Sequence, residues 1–271
     1  MSKQETVMTF EETWKSTSAI EHLRAPLVSI VIPCHNYGMF LAEAIESALN
    51  QTYINIEVIV VDDASTDNTR EVAEQFAVTY VKTKHQGKAT PAHAHNVGLQ
   101  ACHGDFVIFL GADDKLEPDY VEKCYAAFCK TQRKTGFVWT GFQACGTRNM
   151  VSLPNVDVLT RFNCDSPSGQ LGAMFVPKYM YKIIGDYDEA LNGLEDLDWV
   201  IRACTKGFVG ISVREILHNY RFHGESVNSN AARKQVTKEL FRKHPLFFLL
   251  YNGKLWARRL KNLLRKTIEQ G

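Results

Sequence analysis

The stretch GDFVIFLGADD, residues Gly104–Asp114, decides the fold of this chain. Its apolar run Phe106–Leu110 ends at two adjacent carboxylates, Asp113 and Asp114. Open α/β sheets bind ligands beyond the carboxyl ends of their strands, and carboxylate oxygens suit hard cations. The segment therefore predicts a buried strand that delivers acids to a metal–diphosphate group, as an enzyme with a nucleotide-activated substrate requires.

Strand and helix patterns alternate on the amino-terminal side of this segment. Val28–Pro33, Ile56–Val61 and Val78–Val81 are rich in β-branched residues and predict buried strands. Residues 40–49 repeat apolar side chains at helical spacing, and Pro91 to Ala101 predicts another helix. This alternation indicates the α/β class, with a mostly parallel, doubly wound central sheet that is flanked by helices.

The pattern continues beyond Asp114. It predicts helices at 118–128, 178–184 and 195–204, the second of which Gly185 ends, and strands at 136–142, 208–213 and 220–222. The stretch 146–168 is irregular, and we expect it to face the substrate. We divide the chain into an N-terminal extension (1–25), one α/β domain (26–229) and a basic amphipathic C-terminal helical tail (230–271).

The tail differs in charge from the rest of the chain. The whole chain has a net charge of +1, but residues 230–271 contain eleven Lys and Arg against two acids. A basic helix with Trp256 and leucines on one face predicts a peripheral contact with an anionic membrane. A helix packed on the domain or a dimer contact explains the same pattern. Nucleic-acid binding is disfavoured because no aromatic platform or known module accompanies the charge.

The chain has the composition of a cytoplasmic protein. Its seven cysteines are scattered without a CxxC pair, which favours reduced thiols over a disulfide framework. The N-terminus lacks a signal-peptide pattern, and no apolar run reaches the ~20 residues that span a bilayer. We expect a cytoplasmic location, with peripheral contact at the inner face of the membrane if the tail binds lipid.

Two strand–helix junctions contain candidate ligand contacts. In PCHNYG, which starts at Pro33, His35 and Asn36 lie where a base or ribose would pack, although a simple polar turn explains them equally well. In VDDASTDNT, Asp63 can accept hydrogen bonds from a ribose hydroxyl or a base N–H. Helix capping explains the Ser65–Asp67 part of that run. No GxGxxG or GxxxxGK[ST] motif occurs, which disfavours dinucleotide dehydrogenases and P-loop enzymes.

Five segments, in this order, together resemble the family 2 glycosyltransferases: VSIVIPCHN, NQTY…EVIVVDDASTDNT, AHAHNVGL, FLGADD and GLEDLDWVIR. The resemblance extends from about Pro26 to Ser226. It implies the GT-A fold of nucleotide-diphospho-sugar transferases. It also implies an inverting enzyme that moves a sugar from a nucleotide-diphosphate sugar to a glycan or lipid-linked acceptor, in surface polysaccharide or glycoconjugate synthesis.

The resemblance assigns roles to individual residues. Asp113 matches the last acid of the DxD metal signature, and His223 matches a late histidine that completes the site for Mg²⁺ or Mn²⁺. Asp196 matches the catalytic base, although acids at a helix N-terminus are common in proteins without this function. The expected substrate contacts are Pro33, His35, Asn36, Asp63, Asn96, Glu195 and Trp199, the last as a wall beside the acceptor.

One position departs from the family pattern. Gly111 stands where the family usually has the first acid of its Asp-Ala-Asp-Asp run. The alternative is therefore a catalytically weak or inactive nucleotide-sugar-binding protein. A sugar-1-phosphate nucleotidyltransferase is disfavoured because PCHNYG lacks the required Gly-, Arg- and Lys-rich loop. No QxxRW run follows the Glu195–Asp196 pair, which favours one sugar addition per encounter over processive synthesis.

Overall fold

A mixed β-sheet forms the centre of the molecule. In a computed structural model, residues 25–83, 90–147, 149–164, 170–191, 193–222 and 238–251 are described. Within these residues, ten strands form one sheet in the order β3-β2-β1-β4-β9-β6-β10-β5, with β7 paired to β6 and β8 to β10.

The strands are β1 (Val28–Cys34), β2 (Ile56–Asp62), β3 (Thr79–Lys82), β4 (Phe106–Phe109), β5 (Lys115–Leu116), β6 (Thr135–Gly146), β7 (Met150–Ser152), β8 (Val158–Leu159), β9 (Gln170–Pro177) and β10 (Val209–Phe222). The helices are α1 (Gly38–Leu49), α2 (Thr69–Ala73), α3 (Pro91–Ala101), α4 (Tyr120–Lys130), α5 (Tyr179–Ile184), α6 (Glu195–Thr205) and α7 (Pro245–Tyr251). A further helical segment covers residues 238–243.

The first four strands in the order are parallel, as predicted. β1 pairs with β2 over seven residues, which sets Cys34 opposite Asp62, and its other side pairs with β4. The N–H of Leu110 extends this pairing by donating to the carbonyl of Val31 at 2.9 Å. The carboxyl ends of β1, β2 and β4 therefore meet at one edge, where the junctions after each strand carry the predicted site residues.

The second half of the sheet differs from the sequence prediction. The two late strands expected at 208–213 and 220–222 are one strand, β10, which pairs in parallel with β6. Its register shifts between Val213 and Ile216 and again before His218. Such bulges interrupt the alternation of apolar and polar residues from which strands are predicted. The sequence also gave no indication of β9, which pairs antiparallel with both β4 and β6.

Two apolar clusters cover the two faces of the sheet. Val31 and Val61 point to one face, where they belong to the cluster that contains Trp199 of α6. Ile30 and Ile32, at alternate positions of the same strand β1, belong to the other cluster with residues of α1 and α4. Burial of both faces explains why these strands are almost continuously apolar in sequence.

The two terminal segments lie largely outside the described residues. Of the N-terminal extension only residue 25 is described, and of the tail only 238–251. The proposed domain limits and the amphipathic tail therefore stay predictions. Within the described residues, no helix is both long enough and apolar enough to span a bilayer.

Candidate active site

A cavity of about 190 Å³ opens at the carboxyl edge of the sheet. Residues from β4, β9, β10, α3 and α6, together with the segments after β4 and before α6, line it: His95, Phe109, Gly111, Asp113, Asp114, Ala173, Tyr187, Glu195, Asp196, His218 and Tyr220. The fold thus brings Asp113 to the same cavity as Glu195 and Asp196, from distant parts of the chain.

The turn after β4 fixes the two acids of the GADD segment differently. Asp114 is buried, and its carboxylate accepts from the backbone N–H of Arg221 at 2.9 Å. Its other oxygen lies 3.2 Å from Nε2 of His218, out of line for a hydrogen bond. Asp113 is only partly buried and faces the cavity. Asp114 therefore stabilises the turn, whereas Asp113 faces the cavity and stays the predicted metal ligand.

Helix α6 presents Glu195 and Asp196 to the cavity from its first turn. Asp196 Oδ1 accepts from the N–H of Leu197 at 2.6 Å, and the helix dipole favours an ionised carboxylate at this end. Glu195 is buried, with 7% of its surface exposed. Burial, together with the charge of Asp196, raises the pKa of Glu195 to about 7. The two neighbouring carboxyl groups are therefore chemically unlike.

In the described part of the chain, three non-glycine residues have left-handed backbone, and each is or adjoins a predicted site residue. Asn36 has φ of 58°, Ala64 of 59° and Leu194 of 59°. Asn36 is itself a predicted contact, Ala64 follows Asp63, and Leu194 precedes Glu195. Side chains other than Asn and Asp rarely adopt this conformation, and such outliers cluster at functional sites. The strain at Leu194 is what turns the chain abruptly into α6.

The predicted nucleoside contacts form a second group at the ends of β1 and β2. His35 Nδ1 lies 2.6 Å from the carbonyl oxygen of Asp63, and Asn36 Oδ1 accepts from the N–H of Thr66 at 2.8 Å. Asp63 is buried, and its Oδ1 accepts from the hydroxyl of Thr83 at 2.7 Å. These residues do not line the cavity. Because β1 lies between β2 and β4, Asp63 at the end of β2 is roughly 10 Å along the sheet edge from the end of β4, where the cavity lies.

Sequence comparison identifies the family to which this geometry belongs. The Glycosyl transferase family 2 profile matches residues 29–166, which is about half of the chain. The chain belongs to glycosyltransferase family 2. Among curated relatives, Glycosyltransferase GlyG of Streptococcus pneumoniae is 38% identical over 36% of this chain, and chondroitin synthase of Escherichia coli is 29% identical over 80%. The chain spans about a third of the length of each of these two relatives.

Solved structures share the fold at low sequence identity. TarS of S. aureus in complex with UDP-GlcNAc has a TM-score of 0.64 at 17% identity, with 83% of this chain and 74% of that chain covered. A mannosyltransferase of Pyrobaculum calidifontis in complex with GDP-Man and Mn²⁺ has a TM-score of 0.62 at 18% identity, with 85% and 70% covered. The GT-A fold implied by the sequence motifs is confirmed.

Two predicted substrate contacts of this glycosyltransferase have structural roles instead. Trp199 is fully buried, and its indole N–H donates to the carbonyl of Gly185 at 3.1 Å, so it cannot form a wall beside an acceptor. Asn96 is buried and holds the segment before α6: it donates to the carbonyl of Tyr187 and accepts from its N–H, both at 3.0 Å. A second donation reaches Glu189 at 2.9 Å. Neither Trp199 nor Asn96 lines the cavity, so the structure gives no support to either as a substrate contact.

The other residues considered for this family member lie in different places. Pro33 is the penultimate residue of β1 and lies opposite Val61, at the nucleoside end of the sheet edge. His223 lies outside the described residues. Arg202 pairs with Asp198 at 2.8 Å and donates hydrogen bonds to backbone carbonyls before α6, so its role is structural.

The carboxylate oxygens at the site suit a hard divalent cation. In the described part of the chain, no three His, Cys, Asp or Glu residues converge as a preformed metal site. Magnesium, however, is commonly held by one or two carboxylates together with substrate phosphates and water. Asp113 is such a carboxylate, and a bound diphosphate would supply further oxygen ligands. The residues present therefore fit an ion that arrives with its substrate.

Several cavity residues were not predicted from the sequence, among them His95, Tyr187 and His218. His95 was available from the AHAHNVGL motif, because residues spaced i, i+2 on a helix face different directions and only one of His93 and His95 can point inward. In the structure His95 packs against Phe109, with ring centroids 4.6 Å apart, while His93 lies 3.2 Å from Glu189. His218 follows the bulges of β10, where the strand pattern is lost.

Proposed function

We propose that this chain is an inverting, metal-dependent glycosyltransferase that transfers one sugar per encounter from a nucleotide-diphosphate sugar. The observation that carries the proposal is the presence of Asp113 and Asp196 in one cavity at the ligand-binding edge of the sheet. A cation-binding carboxylate and an ionised base are the two groups that the reaction requires from the protein.

The donor would lie along the sheet edge. His35, Asn36, Asp63 and the chain at Pro33 would hold the nucleoside, and Asp113 with His223 would hold Mg²⁺ or Mn²⁺ on the diphosphate. A cavity of about 190 Å³ is smaller than pockets that enclose drug-sized ligands, so it suits the sugar rather than the whole donor. The similar TarS and mannosyltransferase structures carry UDP-GlcNAc and GDP-Man, which supports a nucleotide-sugar donor.

Asp196 would act as the general base in a single in-line displacement. It takes the proton from the acceptor hydroxyl as that oxygen attacks the anomeric carbon, and the nucleoside diphosphate leaves from the opposite face with inversion. One positioned base contributes about 10²–10⁴-fold to the rate. The divalent cation, when bound, neutralises charge on the leaving diphosphate. Glu195 would line the sugar side of the cavity.

The acceptor would be a glycan or a lipid-linked saccharide, in surface polysaccharide or glycoconjugate synthesis. The names of two relatives, chondroitin synthase and hyaluronan synthase, support a saccharide acceptor. Contact of the basic tail with the inner face of the membrane would bring a cytoplasmic enzyme to a lipid-linked acceptor.

A catalytically weak or inactive nucleotide-sugar-binding protein is the second candidate, and Gly111 favours it. A Cβ atom at this position would lie 3.0 Å from carboxylate oxygens of both Asp113 and Asp114. The first acid of the family motif therefore has little room here, and its contact with the ligand is lost.

A melting-temperature screen of nucleotide sugars with Mn²⁺ tests the proposal. A ligand at a hundred times its dissociation constant adds about 2.7 kcal/mol to the free energy of unfolding, so a true donor should raise the melting temperature measurably. The shift should disappear with EDTA and in Asp113→Asn. The donor should then be turned over in the presence of saccharide acceptors. Binding without any transfer or donor hydrolysis would favour the non-catalytic candidate.

A further inference from the structure

Helix α3 and helix α6 bring a histidine and a carboxylic acid together in the wall of the cavity. His95 Nδ1 lies 3.8 Å from Glu195 Oε1, and both side chains are mostly buried, with 15% and 10% of their side-chain surfaces exposed. The ring of His95 is held between Phe109 and Tyr187, at centroid distances of 4.6 and 5.1 Å. These aromatic contacts fix the orientation of the His95 ring, and its Nδ1 atom faces Glu195.

Two polar atoms of this pair are buried without a hydrogen-bond partner: Nδ1 of His95 and Oε2 of Glu195. Leaving such an atom unpaired costs about 1–3 kcal/mol, and more when the group is charged. An ionised Glu195 would place a second negative charge beside Asp196, and among the described residues no Lys or Arg side chain lines the cavity. A proton on Glu195 removes that charge and also supplies a donor for the imidazole nitrogen.

We infer that Glu195 is a neutral carboxylic acid that donates its proton toward Nδ1 of His95, so that of the two neighbouring acids Glu195 and Asp196 only Asp196 is ionised. His95 and Glu195 are then positioning residues: they touch neither the acceptor proton nor the leaving group, and they define which carboxylate is the base. This inference rests on the proposed function for its catalytic consequence, but not for the protonation state itself.

The surroundings support the assignment. Burial lowers the pKa of His95 to about 4, so its imidazole is neutral and can accept the proton. Burial and Asp196 raise the pKa of Glu195. The titratable groups that line the same cavity as Glu195 are His95 on α3, Asp113 and Asp114 after β4, Tyr187 before α6, Asp196 on α6, and His218 and Tyr220 on β10. Two of these residues, Asp113 and Asp196, present acidic groups directly to the cavity, and neither supplies a positive charge that would keep Glu195 ionised.

Infrared spectroscopy of the full chain tests the protonation state without any need for activity. The wild-type protein at neutral pH should contain a carbonyl stretch of a protonated carboxyl group, and the band should be missing from Glu195→Gln. Glu189→Gln is the matched control, because Glu189 is a half-exposed carboxylate on the neighbouring segment. Equal spectra for the wild type and Glu195→Gln at neutral pH would overturn the inference.

Kinetics of the same variants test the positioning role. Gln resembles the protonated acid, so the pH profile of kcat in Glu195→Gln should lack the fall that we expect for the wild type above about pH 7. Glu189→Gln should keep that fall. A loss of kcat in Glu195→Gln as large as in Asp196→Asn would contradict the assignment. A wild type that turns over no donor would refute the proposed function, while the infrared result would still stand.

His95 variants separate positioning from packing. His95→Phe keeps the ring between Phe109 and Tyr187 but removes the nitrogen, whereas Asn at this position keeps a polar group near the place of Nδ1. We expect kcat of His95→Phe to fall by up to about 10²-fold with KM little changed, and His95→Asn to recover most of the loss. Equal kcat values for His95→Phe and the wild type would show that the histidine only fills space.

Discussion

At the scale of single residues, the environment of each carboxyl group decides which chemistry it can perform. Three acids occupy four consecutive positions of α6, yet each has a different state. Asp196 faces the cavity, Glu195 has its pKa raised by burial, and Asp198 is fully buried against cations. The sequence alone shows only a cluster of acids at a helix start, which many helices share.

The sequence predicted some site residues and misassigned others for a physical reason. Asp196 was assigned only by the resemblance to the family 2 glycosyltransferases. The cavity position of Asp113 could be predicted because the end of a strand fixes where its side chain goes. Trp199 and Asn96 could not, because the direction in which a helix turns its large or polar side chains depends on what packs against it. Trp199 meets the core, and Asn96 meets the backbone of Tyr187.

Gly111→Asp tests whether the missing acid weakens the site. The new carboxylate would lie beside Asp113 and Asp114, where even a Cβ atom approaches their oxygens to 3.0 Å. We expect the melting temperature in EDTA to fall below that of Gly111→Ala, which adds the Cβ atom without the charge. Mn²⁺ should recover the difference between the two variants. A Gly111→Asp variant as stable as Gly111→Ala in EDTA would mean that the three carboxylates do not repel one another.

At the scale of secondary-structure elements, a buried charge cluster joins the segment 238–251 to α6. Asp198 lies 2.8 Å from Arg202 Nε, 2.8 Å from Lys243 Nζ and 2.7 Å from His244 Nε2. Burial alone would raise the pKa of Asp198, but hydrogen bonds from His244 and Lys243 and the charge of Arg202 lower it to about 2. The cluster thereby holds the helix that carries Glu195 and Asp196.

Asp198→Asn should destabilise the protein in a pH-dependent way. Because the pKa of the folded state lies below the usual value of 3.8, the ionised carboxylate stabilises the fold by roughly 2 kcal/mol at neutral pH. This contribution is complete above about pH 4 and is lost as the pH falls through about 2. Urea unfolding of the variant and the wild type across this range measures it.

Asp188→Asn is the matched control, since Asp188 also binds Lys243, at 2.6 Å, but is about a third exposed. Its loss should cost less than about 1 kcal/mol. Similar losses for the two variants, or a loss in Asp198→Asn that does not change with pH, would mean that the buried cluster has no special role in holding α6.

At the scale of the whole molecule, the two halves of the sheet differ in how far the sequence determines them. β1, β2, β3 and β4 alternate with helices, and local periodicity was enough to predict these strands and their parallel direction. β9 and β10 depend on pairings with β4 and β6, which are distant in sequence, and the bulges in β10 hide its pattern. The half that was predicted carries the residues that we expect to contact the nucleoside, and strands of the other half contribute residues to the cavity.

The charge asymmetry of the chain predicts membrane binding. The full-length protein should bind vesicles that contain anionic lipid, and binding should weaken as salt increases, because each Lys or Arg near the surface contributes about 1 kcal/mol. Arg258→Glu combined with Arg259→Glu should reduce binding at least tenfold in a sedimentation assay. Lys130→Glu with Arg133→Glu, which changes the same number of charges on the α/β domain, should have little effect. Equal binding to neutral and anionic vesicles would contradict the prediction that the basic tail binds the membrane through its charge.

Steady-state sugar transfer by Asp196→Asn, measured beside nucleotide binding, decides whether the cavity is an active site. With the nucleotide sugar selected by the melting screen, kcat should fall by about 10²–10⁴-fold, because the variant has no base for the acceptor proton. The affinity for the nucleoside diphosphate with Mn²⁺ should stay unchanged, since Asp113 and the residues after β1 and β2 are intact. A variant that retains wild-type kcat would mean that Asp196 is not the base and that its place beside Asp113 has no catalytic meaning.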